Sequence, residues 1–302
     1  MRRWCLIVVV ALAGAPGCHL MLPFGPGGAD RSRAADGSVF ADASGVPDVS
    51  PVDGRADAGA APCGLSRGRL LASYTFDEGT FRDGTFEDVS GHHFDGKVGG
   101  QGAAAAFIDG AIRFNGLTGA RDPNCSSPVA VGWGVLPAGD HWKLTAGAFS
   151  LRVKFDDEAG SGSGYLGVLA RDQYHNNAGN LMLARFSDGR LGVRLQDGLG
   201  RELWRCSGAG ATLVGKWVRV EVSFGPDLKV CVNGTEVRDV ATPSNEECTD
   251  SLIDGGIEGT GTDWVIGATN LCQEVGPDAG APSPPILPMK GSVDDLQIWT
   301  AD

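Results

Sequence analysis

Phe149-Ser150-Leu151-Arg152-Val153-Lys154-Phe155 alternates apolar and polar side chains without a break. Successive side chains of a β-strand point to opposite faces, so this stretch reads as a strand with one buried and one polar face. The same pattern recurs further along the chain. Leu191, Val193 and Leu195 alternate with Arg190, Gly192, Arg194 and Gln196, and Val218, Val220, Val222 and Phe224 alternate with Trp217, Arg219, Glu221 and Ser223. Asn233-Gly234, between 228–232 and 235–240, is the residue pair that favours a tight hairpin turn. No comparable stretch has helical periodicity. Many short strands separated by Gly, Asp and Asn turns imply an all-β domain, a two-sheet antiparallel jelly-roll sandwich, over residues 63–302.

Upstream of that domain the texture changes. Residues 19–62 are rich in Ala, Asp, Gly, Ser and Pro and nearly devoid of aromatic and β-branched side chains. Such a stretch buries too little apolar area to offset its ordering entropy, and reads as a disordered linker. Roughly 44 residues of flexible chain have a root-mean-square reach of about 35–40 Å. Val275 to Pro288 is a second Pro/Ala/Gly-rich stretch, read as a mobile surface loop before the last strand.

At the N-terminus, Met1-Arg2-Arg3 is a positive segment, Leu6 to Ala13 is apolar, and Ala15-Pro16-Gly17-Cys18 follows. The apolar run is too short to span a bilayer and reads as an export signal. Its end is similar to the lipobox of bacterial lipoproteins, although Ala15 stands where Leu is usual. A plain secretory signal is the alternative. On the lipobox reading residues 1–17 are removed and Cys18 is acylated, anchoring the chain to a membrane by lipid. His19, in place of the Asp that retains such proteins at the inner membrane, then implies sorting to the outer membrane of the bacterial envelope.

The net charge of −12 becomes −14 once Arg2 and Arg3 are removed, which makes nucleic acid and anionic headgroups poor partners. Six cysteines remain beyond Cys5 and Cys18: Cys63, Cys125, Cys206, Cys231, Cys248 and Cys272. An even number in an exported chain favours three disulfides, whose pairing the sequence leaves open. Metal binding is the rival, but no CxxC pair is present and the histidines lack ligand spacing.

Several motifs, in order, carry a resemblance. They are Tyr74-Thr75-Phe76-Asp77-Glu78-Gly79, Asp88-Val89-Ser90-Gly91 with Asp95-Gly96, and Gly110-Ala111-Ile112-Arg113-Phe114-Asn115-Gly116. Trp217 at a strand start, Lys229 to Gly234, and Gly291-Ser292-Val293-Asp294-Asp295-Leu296-Gln297-Ile298-Trp299 complete the set. Together they resemble the laminin-G-like members of the concanavalin A-like lectin/glucanase superfamily over residues 69–302. The chain departs from that pattern in a Cys-containing insert at 118–143 and in lacking Trp at 149–155.

The resemblance implies a lectin-like module. Glucanases of the superfamily carry closely spaced carboxylates on one strand, as glycoside hydrolysis requires, and no strand here has that spacing. Asp156-Asp157-Glu158 reads as a solvated turn, His92-His93 as part of the family turn, and the serines lack a nucleophile elbow. The expectation is therefore not an enzyme. Arg152, Lys154, Arg194, Gln196 and Arg219 share outward parity and are candidates for a basic stripe facing a glycan, or for a solvated sheet face. Tyr165, Tyr174 and Trp204 are candidates to stack on sugar rings, and Tyr174 with Asn176 makes 172–180 a candidate loop. The partner is then carbohydrate or, alternatively, a surface protein. Asp294 shares strand parity with Leu296 and Ile298, so its carboxylate is expected on the core side. Relatives place a structural calcium there, which implies Asp294 as a ligand, with Asp77 or Glu78 from near the opening strand.

Overall fold

The alternating stretch at 149–155 lies within β10 (Gly147–Phe155), paired antiparallel with β15 (Trp217–Phe224) on one side and β19 (Lys290–Thr300) on the other. The computed structural model describes residues 63–65, 67–100, 105–116, 118–121, 128–157, 165–171, 179–196, 202–208, 210–225, 227–237, 262–269 and 285–301. All belong to one unit of the chain, Asp57–Asp302.

Among the described residues, β10 is central to an eight-stranded sheet. Beyond β15 lie β16 (Lys229–Val232) and β17 (Thr235–Glu236). Beyond β19 lie β6 (Ala111–Asn115) and β5 (Ala105–Ile108), and β1 (Leu70–Tyr74) also pairs with β19. The second sheet has nine strands. It begins with β14 (Glu202–Cys206), β13 (Leu191–Gln196), β12 (Leu181–Phe186) and β11 (Tyr165–Arg171), and continues through β18 (Trp264–Ile266) and β9 (Gly132–Leu136). It ends with β4 (Gly96–Gly100), β3 (Thr85–Phe86) and β2 (Phe81–Arg82). A separate ribbon joins β7 (Thr118–Arg121) to β8 (Pro128–Ala130). The helical turns described are two short 3₁₀ segments, Glu78–Thr80 and Asp140–Trp142.

The sheets form a sandwich because each presents one apolar face. Phe149, Leu151, Val153 and Phe155 of β10 meet Leu181, Leu183, Leu191, Val193 and Leu195 of the other sheet in one buried core. Burying each such side chain is worth about 1.5–3 kcal/mol. The Asn233-Gly234 turn is as its sequence demands, with φ of 49° and 78° at the two positions. Both values lie in the left-handed region that a primed hairpin turn requires.

The described part of the departure at 118–143 supplies β9, within the nine-stranded sheet, and the fully buried Trp142, whose indole N–H donates to the Pro137 carbonyl at 2.9 Å. One stretch differs from expectation. The stretch before the last strand is not a surface excursion throughout. Ile286 and Leu287 are buried, and Ile286 exchanges backbone hydrogen bonds with Thr269 at 2.8 Å each way. A Pro-rich composition conceals the few apolar residues that dock this segment against β11 and β18.

Cys63 and Cys231 form a disulfide across 168 residues of sequence, and Cys206 is also disulfide-bonded. Cys18, Cys125, Cys248 and Cys272 lie outside the described residues.

Candidate functional site

The outward-facing residues read as one stripe lie on opposite sides of the sandwich. Arg152, Lys154 and Arg219 belong to the outer face of the eight-stranded sheet, and Arg194 and Gln196 to the outer face of the nine-stranded one. Parity assigns a side chain to the face away from the core, but it does not say which sheet that face belongs to. The basic stripe is therefore not formed.

On the nine-stranded sheet, the side chains turned away from the core form a second, smaller apolar cluster. Ala170, Met182, Ala184, Phe186, Trp204 and Cys206 pack together, with Tyr165 against them. Trp204 meets Phe186 at 5.5 Å between ring centroids and Tyr165 edge-on at 5.8 Å. These rings lie down over Gly192, where a β-carbon would come within 2.5 Å of Phe186 and 3.1 Å of Trp204. The glycine is thus required for the aromatics to cover the sheet. Arg194 stands directly opposite Trp204 in the β13–β14 register. Beside them the buried amide of Asn180 donates to Gln196 Oε1 at 2.8 Å. Trp204 and Arg194 each retain 7% of their surface, whereas Tyr165 is half-buried. Three of the expected residues, Arg194, Gln196 and Trp204, thus come together on one face with Tyr165. Tyr174 and Asn176 lie outside the described residues.

Arg152 has a different setting. Its guanidinium lies 4.9 Å from the centroid of the Trp217 ring and pairs with Asp294 at 3.3 Å and Asp295 at 3.6 Å. Asp294 is therefore not on the core side. Ser150 pairs with Gln297 but Arg152 pairs with Asp294, so one residue of β10, Leu151, faces two of β19, Asp295 and Leu296. The extra residue is accommodated at Asp295, whose φ is 48°. This bulge reverses the parity, leaving Leu296 and Val293 in the core and Asp294 outside. Burial, then the like charge of Asp295, raises the Asp294 carboxyl to about 7 despite Arg152, with Asp77 adding a smaller like-charge contribution. Glu78 is exposed in its 3₁₀ turn. Among the described residues no three His, Cys, Asp or Glu side chains are grouped to hold a metal. With the guanidinium already beside Asp294, these side chains do not fit the calcium position implied by the resemblance.

The other described carboxylates beside cations or buried donors serve the fold. Asp88, 1% exposed, accepts from the backbone N–H of Ser73 and Ser90 at 2.9 Å and of Phe94 at 3.1 Å, and from the Ser90 hydroxyl at 2.8 Å. This is the physical content of the Asp-x-Ser-Gly turn. Asp95 accepts from the Asp88 N–H, and the Tyr74 hydroxyl donates to the Phe94 carbonyl at 2.6 Å. Asp156 pairs with Arg113 at 2.7 Å and Asp157 with Lys290 at 3.2 Å, while Glu158 lies outside the described residues.

Sequence reasoning missed the burial of two charges, although Arg219 is a partner of Glu221 that the polar face suggests. Arg171, fully buried, donates to the carbonyls of Trp142, Leu144 and Gly179, and burial lowers it to about 10, still cationic at neutral pH. Its one signal is an arginine ending the otherwise apolar run of β11. Glu221, also fully buried, pairs with Arg67 and lies 3.5 Å from Arg219. Nothing near Arg67 in sequence announces that partner.

No family model matches the chain, and no curated protein is similar in sequence. Similar solved structures include botulinum neurotoxin type C, whose cell entry depends on interaction with two ganglioside molecules (13% identity, TM-score 0.47). The botulinum neurotoxin serotype D/C VPI 5993 binding domain and Trypanosoma rangeli sialidase each share 13% identity at a TM-score of 0.46. The similarity covers 77%, 77% and 79% of this chain and 48%, 49% and 34% of those chains respectively, so this chain spans about half their length or less. By its own strand pairings the chain is a two-sheet antiparallel β-sandwich.

Proposed function

We propose that this is a non-catalytic, lectin-like lipoprotein of the laminin-G-like type that binds carbohydrate on the outer face of its nine-stranded sheet. The observation that carries the reading is the half-buried Tyr165 ring packed against Trp204, which stands opposite Arg194, with the fully buried Gln196 bracing the same face through Asn180. Sugar recognition combines an aromatic surface for the apolar face of a ring with planar polar groups for its hydroxyls. The non-catalytic reading is supported by Asp88, Asp156, Asp157, Glu221 and Asp294 each being engaged by cations or N–H groups, where a glycosidase keeps two carboxyls free to face the substrate. Anchorage through Cys18 at the outer membrane would hold the module at the cell surface on the linker.

The test is retention on immobilised polysaccharides and a glycan array, using the domain from Cys63. Trp204→Ala and Arg194→Ala are expected to weaken retention at least tenfold while the far-UV spectrum is unchanged. Neutral behaviour of both variants removes this face from the site. Leu213 and Val214, adjacent and 62% and 42% exposed, favour one other reading, contact with a surface protein through apolar side chains. Absence of glycan binding across the array would support it.

A further inference from the structure

Residues 63–65 and 67–69 lie over the outer face of the eight-stranded sheet and are fastened there at four points. Cys63 is bonded to Cys231 in β16. Arg67 pairs with Glu221 in β15, and Glu221 stands directly opposite Cys231 in the β15–β16 register. The Arg67 guanidinium also lies 4.3 Å from the centroid of the Trp299 ring in β19. Gly68 N–H donates to the Thr300 carbonyl and Thr300 N–H to the Arg69 carbonyl, each at 3.0 Å. The strap thus grips three strands before the chain enters β1, which pairs only with β19 among the described strands.

We propose that this strap is a force-bearing clamp that passes tension on the N-terminal segment into the β15–β16 hairpin and spares β1. The proposal rests on the reading of residues 19–62 as a tether, because a tethered module that grips a ligand is pulled through Cys63. Without the clamp, a pull on residue 63 would lift the strap and then peel β1 from β19, opening hydrogen bonds one after another. With it, the load leaves the main chain at Cys63 and enters β16 through a covalent bond. There it meets the β15 ladder, whose bonds must fail together. The paired charge adds a second, non-covalent grip beside the first: Arg67 is lowered from its usual value chiefly by burial, and Glu221 opposes that effect.

The test is single-molecule pulling between the linker and the C-terminus. It needs neither lipid nor ligand, so its failure is separable from failure of the anchor or of glycan binding. In the oxidised protein the main chain between Cys63 and Cys231 is expected to contribute no length to unfolding. The Cys63→Ser/Cys231→Ser pair, which leaves the Cys206 disulfide intact, should show a new early event at clearly lower force, with the length of the strap and β1. Native protein reduced on the surface after folding serves if that variant does not fold. Arg67→Ala should leave the oxidised trace unchanged and lower the early event further in the serine background. Equal rupture force with no early event after the disulfide is removed would overturn the proposal. An early β1 event in the oxidised protein would do the same.

Discussion

Asp294 lies directly opposite Arg152 on the outer face of the eight-stranded sheet, its Oδ2 3.3 Å from Nη1. The pairing exists because β19 inserts one residue at Asp295 and so turns the preceding carboxylate away from the core. Two acidic neighbours and one guanidinium then compete for its protonation state.

The Asp294 carboxyl sits at about 7 in the fold, against about 3.9 in an unfolded chain. The native state holds the proton more tightly, so this group's contribution to stability is complete below about pH 4 and is lost as pH rises through 7. Asp294→Asn should flatten the melting temperature across that window and raise it at pH 8. A pH profile identical to the parent's would show that the carboxyl does not titrate there. With Arg152 as counter-ion, chelation of divalent cations should leave the melting temperature unchanged.

Removing Glu221 leaves Arg67 and Arg219 side by side without their shared carboxylate, whereas removing Arg67 leaves Glu221 still 3.5 Å from Arg219. Glu221→Ala should cost about 3–5 kcal/mol, whereas Arg67→Ala, and Arg67→Met with Glu221→Leu, should cost far less. Chemical denaturation of the two single variants and the double variant measures the coupling. Additive losses would show that the charges do not depend on each other.

Asp88→Ala would strip three backbone donors and one hydroxyl of their acceptor. Hydrogen bonds to a charged group contribute about 1.5–3 kcal/mol each, so the loss should exceed about 3 kcal/mol. Tyr74→Phe, losing the single bond to the Phe94 carbonyl, should cost about 1 kcal/mol. Denaturant midpoints in the reverse order would contradict the turn's role.

Gly192→Ala places a methyl group against the Phe186 and Trp204 rings. Overpacking of this kind costs about 1–3 kcal/mol, and it should shift tryptophan emission by moving Trp204. Unaltered emission and stability would mean that the rings yield without cost.

Mass spectrometry of the exported protein should find Cys18 as a diacylated or triacylated N-terminus, recovered in the outer-membrane fraction. An unmodified N-terminus at another residue would remove the lipid anchor from the account.

The strand period of β10, β13 and β15, the Asn233-Gly234 turn and the apolar rows of the core were all legible in the sequence, because each depends on residues close together along the chain. The Asp88 turn was legible as a motif, and its network supplies the reason for the motif. What the alternation did not contain was the sheet to which each strand belongs. Arg152 and Arg194 have the same parity and lie on opposite sides of the sandwich, since sheet membership is decided by pairing between strands distant in sequence. A one-residue bulge at Asp295 reversed the side on which Asp294 emerges, and simple alternation cannot anticipate such an insertion. The partners of Arg67 and Arg171 likewise come from remote segments. Local patterning by itself therefore determined that this protein is an all-β sandwich. Only the tertiary structure decided which polar groups share a face, because a buried charge takes as its partner whatever the packing brings within reach.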